Sequence, residues 1–143
     1  MDTKVFKPTD VNTKWHFIDL NGQILGRAAT QIARLLAGKD KVLAGGHLDD
    51  GDFVVAINAK DIKVTGKKLT DKLYQSHSGF PGGFKEITLG NLLAKDPRKV
   101  IEKAVKGMLP KDKHQQTRLR RLKVYSDDKH PYANELGLNK ETK

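Results

Sequence analysis

The chain of 143 residues has the length of one domain and is long enough to bury a full core. Its 27 Lys and Arg against 17 Asp and Glu give a formal net charge of +10, which points to a polyanionic partner: nucleic acid, an anionic membrane or an acidic protein. With no cysteine, disulfides, thiolate-bound zinc and thiol nucleophiles are excluded, and no apolar run nears the ~18 residues of a membrane span. The start of the chain lacks the apolar stretch of a signal peptide, so a soluble cytosolic protein is expected.

Residues 1–13 carry Pro8, Asp10 and Asn12 without any hydrophobic period and read as an arm. Trp15 to Asp19 is aromatic and β-branched, and Asn21-Gly22 follows it, which predicts a strand ending in a turn. From Ile24 to Ala37 the apolar positions 25, 28, 29, 32, 33, 35 and 36 form a helical stripe, stopped by Gly38. Phe53 to Ile57 is continuously apolar, as in a strand buried on both faces. Strand, helix and buried strand make a βαβ opening, which favours a parallel sheet and a right-handed crossover.

Ile62 to Val64 then predicts another short strand. Leu73 to Ser76 and Lys85 to Thr88 flank Gly79-Phe80-Pro81-Gly82-Gly83, a hairpin with a flexible tip. Asp96-Pro97 supplies an N-cap and a first-turn proline, and Val100, Ile101, Ala104, Val105 and Met108 share one helical face ended by Pro110. His114 to Leu122 predicts a further helix, and Val124-Tyr125 a last strand. One α/β domain over 14–126 is expected, between the 1–13 arm and a 127–143 tail.

The charge is not spread evenly. Residues 1–59 hold 7 basic and 7 acidic side chains, whereas 60–123 hold 17 against 6 and carry the whole surplus. A surface made only for solubility would intersperse both signs, so this stretch reads as a binding face. Within it, Tyr74, His77 and Phe84 offer rings for stacking on bases, and Lys72 and Lys85 offer cations. Gly82 and Gly83 allow close approach to a phosphate. Arg118, Arg120 and Arg121 suit bidentate phosphate contacts.

Other constellations are weaker. The turn Gly22-Gln23-Ile24-Leu25-Gly26-Arg27 joins a strand to a helix but matches neither dinucleotide nor Walker glycine spacing. It reads as structural, with Arg27 compensated by an RNA phosphate or by Asp19. His47-Leu48-Asp49-Asp50-Gly51-Asp52 lacks calcium-loop spacing and a second histidine, so a loop with Asp49 or Asp50 satisfying local amides is preferred to a metal site. No nucleophile elbow or triad order is readable, and no cofactor is expected.

Taken in order, the residues resemble the family of bacterial large-subunit ribosomal protein L13. The resemblance runs from Trp15 to Tyr125. It rests on Trp15, Asp19, Gly22-x-x-x-Gly26-Arg27-x-Ala, His47-x-Asp-x-Gly51-Asp52, Asn58-Ala-Lys60 and Thr65-Gly66-x-Lys68. It continues through Lys72-x-Tyr74-x-x-His77-x-Gly79-x-x-Gly82-Gly83-x-Lys85 and Pro97-x-x-Val100-Ile101. Its most specific piece is Val105-Lys-Gly-Met-Leu-Pro-Lys111, followed by Leu122-Lys-Val-Tyr125. Two departures stand out: Gly45-Gly46 where the family has Thr-Pro, and Asp112-Lys-His-Gln-Gln116 where it has a Gly-Arg run.

The resemblance implies a three-layer α/β/α sandwich on a small, mostly parallel sheet, here with a basic glycine-rich hairpin-like extension. It also implies a non-enzymatic constituent of the large ribosomal subunit in the cytoplasm. Such a protein binds 23S rRNA, sits beside neighbouring ribosomal proteins, and supports early subunit assembly and translation. The RNA-binding set expected is Arg27, Lys60, Lys67, Lys68, Lys72, Tyr74, His77, Gly82, Gly83, Lys85, Lys106, Lys111, Arg118, Arg120, Arg121 and Lys123. No membrane contact and no homo-oligomer are expected. Two alternatives stay open: a regulatory protein binding messenger RNA, and a nucleotide-dependent α/β enzyme using the Gly22–Arg27 turn.

Overall fold

The computed structural model describes residues 7–42 and 48–137, so Gly45, Gly46 and His47 lie outside the described residues. Its centre is a three-stranded parallel sheet. β2 (Phe53–Ile57) lies between β1 (Trp15–Asp19) and β5 (Leu122–Val124), in register from Trp15↔Phe53 and Val54↔Leu122 onward. The centre strand is continuously apolar because both of its faces are covered.

One face presents Ile18, Val54, Ala56, Leu122 and Val124 to α1 (Leu25–Leu36) and α4 (Pro97–Met108), which also pack on each other. The apolar stripes of the two helices meet there, with Ile32, Leu36, Val100, Ile101 and Val105 buried. Each such side chain contributes about 1.5–3 kcal/mol of burial free energy. The opposite face is aromatic. Trp15 stacks on Phe53 at 4.5 Å and on Tyr132 at 5.1 Å, and Phe17 meets His130 at 5.7 Å. Residues expected to lie in the tail thus supply part of this cover. The result is an α/β sandwich on a small parallel sheet, as expected.

The loop entering β2 is clamped to the end of α1 by glycines. Gly38 ends the helix with φ +71°, a conformation that favours glycine. At Gly51 an added Cβ would stand 1.9 Å from the Leu36 carbonyl oxygen, so backbone meets backbone.

The second sheet is the hairpin β3 (Leu73–His77) and β4 (Phe84–Thr88), antiparallel from Leu73↔Thr88 to His77↔Phe84. Two helices beside its base were not anticipated: α2 (Lys68–Asp71) and α3 (Leu89–Lys95). The tip is a built turn rather than a flexible one. The Gly83 amide donates to the Phe80 carbonyl at 3.0 Å, Pro81 follows Phe80, and Gly82 has φ +71°, the signature of a type II turn.

Three further expectations shift. The 62–64 strand is only a single bridge between Ile24 and Lys63. The last strand starts at Leu122, two residues early, because Val54 donates to the Arg121 carbonyl. Asp96 does not cap α4 with its carboxylate, which instead meets Arg98 Nε and Lys99 Nζ at 3.4 Å.

Candidate nucleic-acid interface

The arginine cluster is divided by the fold. α5 (Gln115–Arg120) turns Arg118 inward, leaving its side chain 8% exposed, with Nε 3.3 Å from Asp49 Oδ1 and Nη1 3.4 Å from Asp112 Oδ2. Arg121 places Nη2 3.0 Å from Asp49 Oδ2, and Nη1 3.1 Å from both Asp49 Oδ1 and the Gly51 carbonyl. Both guanidiniums are held to carboxylates within the protein; Arg120 alone of the three is exposed. Asp112, one of the departures noted above, is part of the device that holds Arg118.

Among the described residues Asp49 therefore serves guanidiniums and not local amides. The amide role falls to Asp52, which accepts from the Lys14 amide at 2.9 Å, with His16 Nε2 at 2.8 Å and Lys41 Nζ at 2.6 Å. Burial pushes the Asp52 carboxyl upward, but Lys41, the Lys14 amide and His16 together hold it below its ordinary value. Asp50 is buried, and its Oδ2 has no hydrogen-bond partner among the described residues.

Cations do converge between α4 and α5. A groove of about 320 Å³ is lined by Glu102, Lys103, Lys106, Gln116, Leu119 and Arg120. A neighbouring depression shares Lys103 and Lys106 and adds Lys111. Lys106 lies off the apolar face of α4, and Gln115 Nε2 donates to its carbonyl at 3.0 Å, tying α5 to α4. Lys106, Lys111 and Arg120 are exposed and have no ion pair among the described residues. Lys103, absent from the sequence-derived set, lines both depressions; its place off the apolar stripe was the available signal.

The hairpin brings together Lys72, Tyr74, His77, Gly82, Gly83 and Lys85, with Lys67 and Lys68 in the adjoining α2 segment. Tyr74 is not free to stack on a ligand. It is half-buried against the core, its hydroxyl has no partner among the described residues, and Lys103 and Lys72 stand 4.8 and 5.6 Å from its ring centroid. Burial raises its pKa. Gly83 is hemmed in by backbone, since an added Cβ would lie 2.9 Å from the Phe80 carbonyl oxygen, whereas the Gly82 site opens on free space. Two rings that the RNA-binding set omits are exposed instead: Phe80 at 74% and Phe84 at 55%.

Arg27, Lys60 and Lys123 stand apart. Arg27 is exposed and has no ion pair with Asp19, whose carboxylate accepts from the Asn21 amide and Asn58 Nδ2, both at 2.9 Å. Lys60 is paired to Asp127 at 2.6 Å. Lys123 lies in register with Val55 and so on the aromatic face of the sheet. The Gly22–Arg27 turn spends several amides on the chain itself: Gly22 on the Asp61 carbonyl at 3.1 Å, Gln23 on Leu20 at 3.1 Å and Leu25 on Lys63 at 2.9 Å. Those bonds account for it as scaffold.

The class these features define is a basic α/β protein that keeps part of its arginine for internal locks and leaves a lysine-rich helix pair and hairpin exposed. A family model described as Ribosomal protein L13 matches residues 13–131. A Large ribosomal subunit protein uL13 of Geobacter sp. (strain M21) is 50% identical over 141 residues, covering 97% of this chain and 99% of that protein. The proteins of the same name from Syntrophotalea carbinolica and Pseudomonas putida (strain W619) are 48% and 52% identical. They cover 96% and 93% of this chain, and 97% and 94% of their own lengths. The chain belongs to the ribosomal protein L13 family.

Proposed function

We propose that this protein is a structural, non-enzymatic constituent of the large ribosomal subunit in the cytoplasm. It binds 23S rRNA and packs beside neighbouring ribosomal proteins, supporting early subunit assembly and translation. The observation that carries this reading is near-complete coverage at about half identity with relatives named as large ribosomal subunit proteins. The physical support is the cationic surface. Lys67, Lys68, Lys85, Lys106, Lys111 and Arg120 are exposed, and they lie within the stretch that carries the whole charge surplus.

Such a surface neutralises phosphates and recognises folded RNA by shape. Arg118 and Arg121 act beneath it by fixing the segment that displays Arg120. Arg27, Lys60, Lys72, Lys103 and Lys123 extend the positive field, and Gly82 lets the hairpin backbone approach the RNA.

Sucrose-gradient sedimentation of an extract containing the tagged chain tests this directly. The chain is expected to travel with large subunits and to remain with them after a moderate salt wash. Recovery only at the top of the gradient would overturn the reading.

A further inference from the structure

We propose that the tip of the β3–β4 hairpin stacks on unpaired RNA bases through Phe80 and Phe84, which deepens and rests on the rRNA reading above. A two-stranded ribbon is marginal in water by itself. This one is anchored only at its base, where Tyr74 and Ile87 pack on the core and the Leu89 amide donates to the Lys72 carbonyl at 2.9 Å. Beyond that point, the residues from Gln75 to Glu86 are exposed except for the half-buried Gly83. Phe80 and Phe84 are left 74% and 55% exposed, although such rings gain by leaving water.

The rings are presented by an ordered device. The type II turn at Phe80–Gly83 and the Ser78 amide to Gly83 carbonyl bond at 3.2 Å close the loop. His77 lies directly across the ladder from Phe84, and its Nδ1 accepts from the Gly79 amide at 2.9 Å. A partner therefore meets a tip whose backbone is already fixed, which lowers the ordering cost of binding.

The surrounding charge selects the partner. Lys67, Lys68 and Lys85 are exposed and have no ion pair among the described residues. Asp71 is occupied by Thr70 Oγ1 at 2.9 Å, and Glu86 is the only other acid between Lys67 and Thr88. An apolar protein surface would cover the rings but strand these ammonium groups without counterions. Single-stranded nucleic acid satisfies both, with phosphates for the lysines and base faces for the rings.

The test uses the full chain and an in vitro transcript of large-subunit rRNA. Affinity is measured over a salt series for the parent, Phe80→Ala/Phe84→Ala, Phe80→Tyr/Phe84→Tyr and Lys106→Glu/Arg120→Glu. The double alanine variant is expected to bind at least about tenfold more weakly, with an unchanged salt slope, because stacking is lost and phosphate contacts are kept. The tyrosine variant should restore most of that loss, and the melting temperature of both should match the parent, since the rings lie outside the core. Parental affinity in the double alanine variant would overturn the proposal and indicate a protein partner for the tip. A changed slope would also overturn it, assigning the loss to phosphates. In either case the rRNA reading would stand if Lys106→Glu/Arg120→Glu still weakens binding; if the parent itself fails to bind, both fall.

Discussion

Asp49 grips Arg121 through both carboxylate oxygens, Oδ2 at 3.0 Å from Nη2 and Oδ1 at 3.1 Å from Nη1. This two-point pair ties the loop entering β2 to the residue entering β5, and Arg118 joins it from α5 at 3.3 Å. Bidentate guanidinium–carboxylate pairs are directional as well as strong, so the geometry fixes where α5 ends and which way Arg120 points.

Arg121→Glu or Arg118→Glu is expected to cost about 3 kcal/mol of stability, because Asp49 then faces a like charge in a largely dry site. Arg120→Glu should leave stability within about 0.5 kcal/mol of the parent while reducing the rRNA salt slope by about 1. Thermal melts paired with binding isotherms separate the two behaviours. Equal melting temperatures for all three variants would mean that the internal pairs hold nothing.

Such a division of labour is not readable from composition. The sequence places three arginines within four residues, and a charge count treats them alike. Which of them turns inward depends on Asp49, about seventy positions earlier in the chain. Local periodicity, by contrast, reveals β1, α1, β2 and α4, where a single apolar pattern matches a single period. It misses α3, although Thr88 with Leu89, Leu92 and Leu93 carries the signal; Gly90 obscures it. An added Cβ there would sit tightly, 3.2 Å from the Leu69 carbonyl oxygen. Tyr74, which the sequence offers as a ring for stacking, packs against the core together with its cross-strand partner Ile87.

Gly51→Ala should destabilise the fold by at least about 3 kcal/mol, the upper end of overpacking costs, since its Cβ would strike the Leu36 carbonyl. Denaturant unfolding measures this. A loss below about 1 kcal/mol would show that the α1 to β2 clamp yields easily.

Acid should weaken the protein through Asp52, whose folded pKa is depressed. The stability it contributes is present above its unfolded value of about 4 and is lost as the pH falls through the folded value. Asp52→Asn should therefore be less stable than the parent near neutrality, and the gap should narrow as the pH drops below about 4. Melts from pH 7 to 3 check the trend, and a constant gap would rule out this origin.

Alkali should act through Tyr74, whose pKa burial raises. The stability tied to its neutral hydroxyl is complete below the unfolded value of about 10 and is lost as the pH rises through the folded value. Tyr74→Phe should remove that part of the alkaline loss. At neutral pH it should match or exceed the parent by up to about 1 kcal/mol, because the buried hydroxyl has no partner among the described residues to lose.

If the exposed cations of the hairpin and of the α4–α5 groove neutralise rRNA phosphates, as proposed above, the salt dependence of binding reveals it most directly. Neutralising about six to ten phosphates predicts that affinity for a large-subunit rRNA transcript falls by about 10³–10⁵ between roughly 50 and 200 mM salt. An affinity that stays flat across that range would contradict it.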